Sequence, residues 1–184
     1  MKIRFSSIAF CNLFGVIVIA LPGFAIAQET EIFSLINERL SYMEDVALYK
    51  DQNNLPVEDL EREKIVIENA VAAATEIGLI GSSIESFFNV QIKVAKAIQY
   101  RSIANWISEP TNRKASDLVS DIRPALTSLG DDIVNGLLEY LVTRGPIQES
   151  QRGSFHLSIS IQNVSTAEIK TFYLIACSES ALNE

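Results

Sequence analysis

The chain is poor in the residues that metal-dependent and covalent enzymes rely on. Its 184 residues include one histidine, His156, and two cysteines, Cys11 and Cys177. No zinc-type His/Cys cluster can be assembled from that stock. A Ser-His-Asp mechanism would have to use His156, which sits in an apolar-alternating stretch with no motif around it. Positive charge is also short, with 15 Lys+Arg against 23 Asp+Glu and a net charge of −8. No basic stripe interrupts this acidic balance, which argues against a nucleic-acid partner. Low-complexity tracts and fixed-period repeats are missing as well. What the chain does have is apolar content, 48% hydrophobic residues, ample for one compact core and marginal for two.

The first 27 residues read as an export signal. Lys2 and Arg4 form a positive start, an apolar run from Phe14 to Leu21 follows, and Ala25-Ile26-Ala27 supplies an A-x-A cleavage site before Gln28. The run is short for a membrane span. The expected product is therefore a periplasmic or secreted chain without membrane attachment. Cleavage leaves 157 of the 184 residues and, with Lys2 and Arg4 gone, takes the net charge from −8 to −10. Cys11 leaves with the leader, so Cys177 stands alone and no intramolecular disulfide can form.

Helical periodicity dominates the rest. A first helix is expected from about Glu31 to Lys50, with Ile32, Ile36, Arg39, Met43, Val46 and Lys50 on one stripe. Asp51-Gln52-Asn53-Asn54 ends it. Pro56, with Glu58 and Asp59 behind it, suits the first turn of a second helix. That helix runs through Arg62, Val66, Ala70, Ala73 and Ile77 to Gly78 and Gly81. Ser82-x-x-Glu85 reads as a capping box for a third helix, which carries Ile84, Phe88, Gln91, Ala95, Gln99 and Trp106 on one face and stops before Pro110. Residues 110–117 form a polar connection. Leu126, Leu129, Ile133, Leu137 and Leu141 recur at helical spacing until Gly145-Pro146. Ser165-x-x-Glu168 would cap a last helix to about Cys177. Phe155, Leu157, Ile159 and Ile161 alternate like a strand. A strand without a partner is unstable, so this segment is expected to be irregular or helical.

The placement of charge carries the chemistry. Arg39 and Lys50 lie eleven residues apart, about three turns plus 20°, so both fall on the apolar stripe. Arg62 lies on the apolar stripe of the second helix, with Asp59 and Glu63 close by in sequence, and Gln91 and Gln99 place uncharged donors on the apolar face of the third. Inward cations are costly unless something anionic meets them. Individually, Arg62 could pair with Asp59 or Glu58, and Lys50 could reach solvent at its helix end. Taken together, the set asks for a small dianion.

Arg39, Lys50 eleven residues later, the run Val57-Glu58-Asp59-Leu60-Glu61-Arg62-Glu63, and Gln99 within Gln91–Tyr100 together resemble the helical chorismate mutases. The leader and the added carboxy-terminal half resemble the exported subclass of that family. The resemblance implies an all-α fold of about five to six helices in one domain. Residues 28–110 would supply the catalytic helices and residues 111–184 an extension completing the site. It further implies a cofactor-free isomerase, a homodimer, and a site held within one chain, whose further arginine would be Arg123 in Asp121-Ile122-Arg123-Pro124. Pro124 biases Arg123 away from α geometry, so that side chain is expected to leave from a helix start. By family analogy Lys50 and Gln99 would donate to the ether oxygen of chorismate. Arg39, Arg62 and Arg123 would serve its carboxylates, and Glu63 with Asp59 its hydroxyl. Two departures stand out: Ala95 occupies a position where relatives often carry a hydroxyl, and Cys177 lacks the partner for a disulfide found in some exported relatives.

Two other functions fit the same residues. A pyruvate lyase acting on isochorismate would use the same fold and a similarly cationic pocket. A non-catalytic exported helical module would bind an acidic metabolite or a protein partner without turnover.

Overall fold

The stripe read from the sequence along residues 32–50 is buried over its whole length. Ile32, Ile36, Arg39, Met43, Val46 and Lys50 are all buried, as a face repeating at alternating spacings of four and three must be when it meets a core. These and the following observations come from a computed structural model, which describes residues 22–161, 164–167 and 169. The leader residues 1–21 and Cys177 lie outside the described residues. So does most of the helix expected from Ser165.

The periodicity is continuous, but the helix is not. Helix α1 spans Pro22–Ser41 and α2 spans Met43–Gln52, with a turn at Tyr42 between them. The Ser41 hydroxyl donates to the Glu38 carbonyl at 2.6 Å, a back-bond of the kind that bends helices. Tyr42 keeps right-handed helical dihedrals, so the register of the stripe survives the break.

The second expected helix begins later than the proline suggests. Helix α3 spans Leu60–Glu76, and Asp59 is its cap, its carboxylate accepting from the Arg62 backbone N–H at 3.1 Å. Pro56 lies in the connection instead. That connection is tied down before any helix can start: Val57 is buried and its carbonyl accepts from Lys50 Nζ. The Tyr100 hydroxyl holds the Glu58 carboxylate. An aspartate at the N-cap outcompetes a proline three residues earlier because it satisfies an orphan amide.

Helix α4 spans Gly81–Ser108. The expected Ser82/Glu85 capping box does not form. Ile80 is the extended residue at the boundary, with no side-chain cap. Leu79, fully buried beside it, anchors the chain as it enters the helix. Gly81 sits where a Cβ would come within 3.1 Å of Val71, so the close approach of α3 and α4 uses the missing side chain.

The polar connection at 110–117 is present and leads into a π-helical turn at Leu118–Ile122, then into α5 at Arg123–Arg144. Helix α5 ends at Gly145, as expected. A short 3-10 turn and α6 (Arg152–Ser158) follow, and residues 159–161 are irregular, so the alternating segment is helical and then irregular. Phe155 of α6 stacks edge-on against Phe33 of α1 at 4.9 Å, which buries it without a sheet, whereas Leu157 stays exposed. No strand occurs among the described residues.

Helices α1 and α5 pack together, α2 and α3 lie against α4, and α3 also reaches α5. Ile36, Ile84, Phe88, Ile98, Ile133 and Val134 are among the side chains sealed in the single core. Each buried aliphatic or aromatic side chain contributes roughly 1.5–3 kcal/mol. That stabilisation offsets the desolvation of inward cations, which costs several kcal/mol apiece.

Candidate active site

Between α2, α3, α4 and α5 lies a cavity of about 140 Å³. Every residue given a role toward the substrate by the resemblance lines it: Arg39, Lys50, Asp59, Arg62, Glu63, Gln99 and Arg123. Gln91, the other inward glutamine, does not; it is buried in the helical core, with neither amide atom hydrogen-bonded among the described residues.

Arg39 and Lys50 are held by neutral groups rather than by carboxylates. Arg39 is 9% exposed and Lys50 8%. Neither could be so buried while snorkelling to water. Arg39 donates to the Leu126 carbonyl at 2.7 Å and lies 5.8 Å from the centre of the Phe88 ring. Burial, with Arg62 as a second influence, lowers its pKa to about 10. Lys50 donates to the Val57 carbonyl at 2.5 Å. Burial pulls its ammonium below the ordinary lysine range, Asp59 and Glu63 partly counter that, and Arg123 adds to it. Arg62 forms no ion pair among the described residues.

The two inner carboxylates are already engaged. Asp59 Oδ2 pairs with Arg123 at 3.2 Å, and Glu63 Oε2 with Lys96 at 3.0 Å. Arg39, Lys50, Arg62, Lys96 and Arg123 thus face Asp59, Glu63 and Asp131 around one cavity. Five cations against three carboxylates leave two positive charges unmatched. Asp59 therefore does not neutralise Arg62, as a local helix pair would.

Arg123 reaches the cavity by an unusual backbone route. Contrary to the expectation from Pro124, Arg123 has α geometry, φ −62° and ψ −41°. A proline normally clashes with the carbonyl four residues back. Here the preceding turn is widened: the Ile122 amide bonds to the Asp117 carbonyl, five residues back, at 3.1 Å. A π-type turn opens room for the ring just where the helix starts. Asp117 secures that turn by accepting from the Val119 and Ser120 amides, both at 2.8 Å, and those bonds hold its carboxyl below the usual range.

Gln99 is loosely tethered for a buried polar group. Its Nε2 donates to the Met43 sulfur at 3.7 Å, and its buried Oε1 has no hydrogen-bond partner among the described residues. Ala95, one turn earlier, also lines the cavity and offers no hydroxyl. Lys96, Met43 and Asn69 also line the cavity and did not stand out in the sequence as site residues. Lys96 stands three residues before Gln99 and Asn69 seven after Arg62, so helical spacing from those two could have found both. Met43 was on the stripe but read as core alone. The Val57 carbonyl, by contrast, carried no sequence signal, since any residue has one. Among the described residues, no group of three His, Cys, Asp or Glu side chains is arranged to hold a metal ion.

This architecture defines an all-α protein with a buried pocket whose excess charge suits a small organic dianion. Comparison with known proteins makes it specific: residues 28–100 match the chorismate mutase type II family, and the chain belongs to the chorismate mutase family. It is 40% identical over 139 residues to the secreted chorismate mutase of Yersinia pestis, covering 76% of this chain and 75% of that one. It is 29% identical over 148 residues to a monofunctional chorismate mutase of Enterobacter agglomerans, covering 80% and 82%. The crystal structure of the secreted Yersinia pestis enzyme superposes with a TM-score of 0.76 at 35% identity, over 83% of this chain and 98% of that one.

Proposed function

We propose that this chain converts chorismate to prephenate, and that Lys50 and Gln99 act on the reacting ether oxygen. The observation that carries this reading is the surplus of two positive charges around one cavity, against a substrate with two carboxylates. The rearrangement breaks the ether C–O bond and forms a C–C bond within one molecule. No proton, nucleophile or cofactor enters the balance. A protein can accelerate such a step by holding a compact conformer and by aiming donors at the oxygen on which charge develops.

Lys50 supplies a full charge. Gln99 supplies an amide proton that is present at every pH. Each donor is worth about 3–4 kcal/mol on the scale of oxyanion-hole groups. Arg39, Arg62 and Arg123 meet the carboxylates, and Glu63 with Asp59 binds the hydroxyl. The ion pairs Arg123–Asp59 and Lys96–Glu63 keep these groups placed and their charges balanced.

The decisive measurement follows chorismate absorbance with purified protein while assaying prephenate and pyruvate. Prephenate formed at full rate after dialysis against a chelator is expected. Pyruvate released from isochorismate would favour a lyase, and tight binding of chorismate without turnover a non-catalytic module.

We further infer export, with the chain cut after Ala27. The kinship with a secreted enzyme supports this, as does the leader pattern. The core side chains of α1, Ile32, Phe33, Ile36 and Leu40, all follow the cut, so cleavage leaves them in place. No helix among the described residues is long and apolar enough to cross a membrane. Intact mass of the exported product should place Gln28 at its start, and light scattering should give the mass of the homodimer that the family resemblance implies.

A further inference from the structure

Gln99 poses a problem of orientation. A primary amide presents two donors on one side and an acceptor on the other, and the two ends are nearly equal in shape. A glutamine serving as donor must therefore be prevented from turning over. Gln99 is buried, and its Oε1 has no hydrogen-bond partner among the described residues. No network of ordinary hydrogen bonds fixes the amide.

A single polar contact distinguishes its two ends: Nε2 lies 3.7 Å from the sulfur of Met43. A thioether sulfur accepts and cannot donate. Turning the amide over would bring Oε1 against it, lone pairs facing lone pairs, with no proton between them. Both side chains line the same cavity, and Met43 opens α2 just after the break at Tyr42. The first proton of Nε2 is held by the sulfur, which leaves the second for a ligand.

We propose that Met43 is a positioning residue: its thioether selects the orientation in which Gln99 offers an N–H, rather than its carbonyl, to the substrate. This rests on the donor role given to Gln99 above. A weak acceptor suits the task, because it biases the amide without competing strongly for the proton the substrate needs.

The composition makes the test clean. The chain has two methionines, Met1 in the leader and Met43. Biosynthetic replacement by norleucine therefore exchanges one internal sulfur for a methylene of nearly the same shape, and Met43→Leu removes the sulfur genetically with a branched side chain of similar volume. In either protein kcat should fall about two- to tenfold, the range expected for one modest hydrogen bond, with KM changed less than twofold. Selenomethionine, which keeps a soft acceptor, should restore the original kcat. In a Gln99→Ala background, Met43→Leu should change kcat less than twofold. An unchanged kcat in the norleucine protein, or equal losses with and without Gln99, would overturn the proposal, since a packing defect acts regardless of the amide.

A second readout does not depend on turnover. The side-chain NH2 pair of Gln99, identified in nitrogen-15 spectra by its disappearance in Gln99→Ala, should show two widely separated proton shifts. That separation should shrink toward the value of a free side-chain amide in the norleucine protein. Shifts identical in the two proteins would sink the role of Met43 even if chorismate is converted. If chorismate is not converted at all, the functional reading fails, and the spectra still decide the contact.

Discussion

Lys50 and Gln99 do different work because one titrates and the other does not. Lys50 already sits below the ordinary lysine range through burial, and the nearby Asp59 carboxylate works to raise it. Removing that negative charge with Asp59→Asn should lower the ammonium further. Catalysis needs the protonated form, so the alkaline decline of kcat/KM should begin at lower pH in the variant than in the parent protein. A pH–rate profile checks this, and an unmoved limb would detach that decline from Lys50. Gln99 makes the opposite demand. A glutamate there donates only when protonated, so Gln99→Glu should work best in acid and lose activity as the carboxyl ionises. Measured from about pH 5 to 8, the parent protein should show no such acid preference. A variant equally active across that range would remove Gln99 from the ether oxygen.

Two irregular joints decide how the helices present these residues. The break at Tyr42 lets α1 and α2 share one buried stripe, so Arg39 and Lys50 arrive at the same cavity from two helices. The π-turn before α5 allows Arg123 to be helical despite Pro124. The far end of α5 is structural only. Gly145 holds φ 76° and ψ −165°, a region open essentially to glycine, and a side chain there costs about 1–3 kcal/mol. Nothing lies within 4 Å of a Cβ built at this position, so the cost is backbone strain and not collision. Gly145→Ala should therefore lower the melting temperature and leave kcat unchanged, since residue 145 does not line the cavity. Thermal unfolding beside a steady-state assay separates the two effects. Loss of kcat in a folded variant would show that the end of α5 is coupled to the site.

At the scale of the molecule, the seven candidate residues come from one chain and surround one cavity. An enzyme that borrows an arginine across a dimer interface behaves differently from one that does not. Arg123→Ala and Lys50→Ala should each be folded and nearly inactive, and mixing them should restore nothing even where mixed dimers form. Activity appearing on mixing, followed by coupled assay and native mass, would mean that the site is shared between subunits.

The inward set was legible in the sequence because helical periodicity reports which side chains share a face. Ile32 through Lys50 fell on one stripe whatever the helix did at Tyr42, and Gln99 followed by the same rule. The composition likewise excluded a zinc-type His/Cys cluster, since a scarcity of ligands needs no fold to be read. Periodicity is local, however, and the pairing of charges is not. That Asp59 meets Arg123, sixty-four residues away, and leaves Arg62 unpaired was decided by the packing of α3 against α5. The start of α3 went to Asp59 rather than Pro56 because Lys50 and Tyr100 hold the preceding loop from other helices. Gln91 and Gln99 look alike in sequence, both polar on an apolar face. Only the tertiary structure sends one into the core and the other to the cavity, because a helix face knows its direction but not its neighbours.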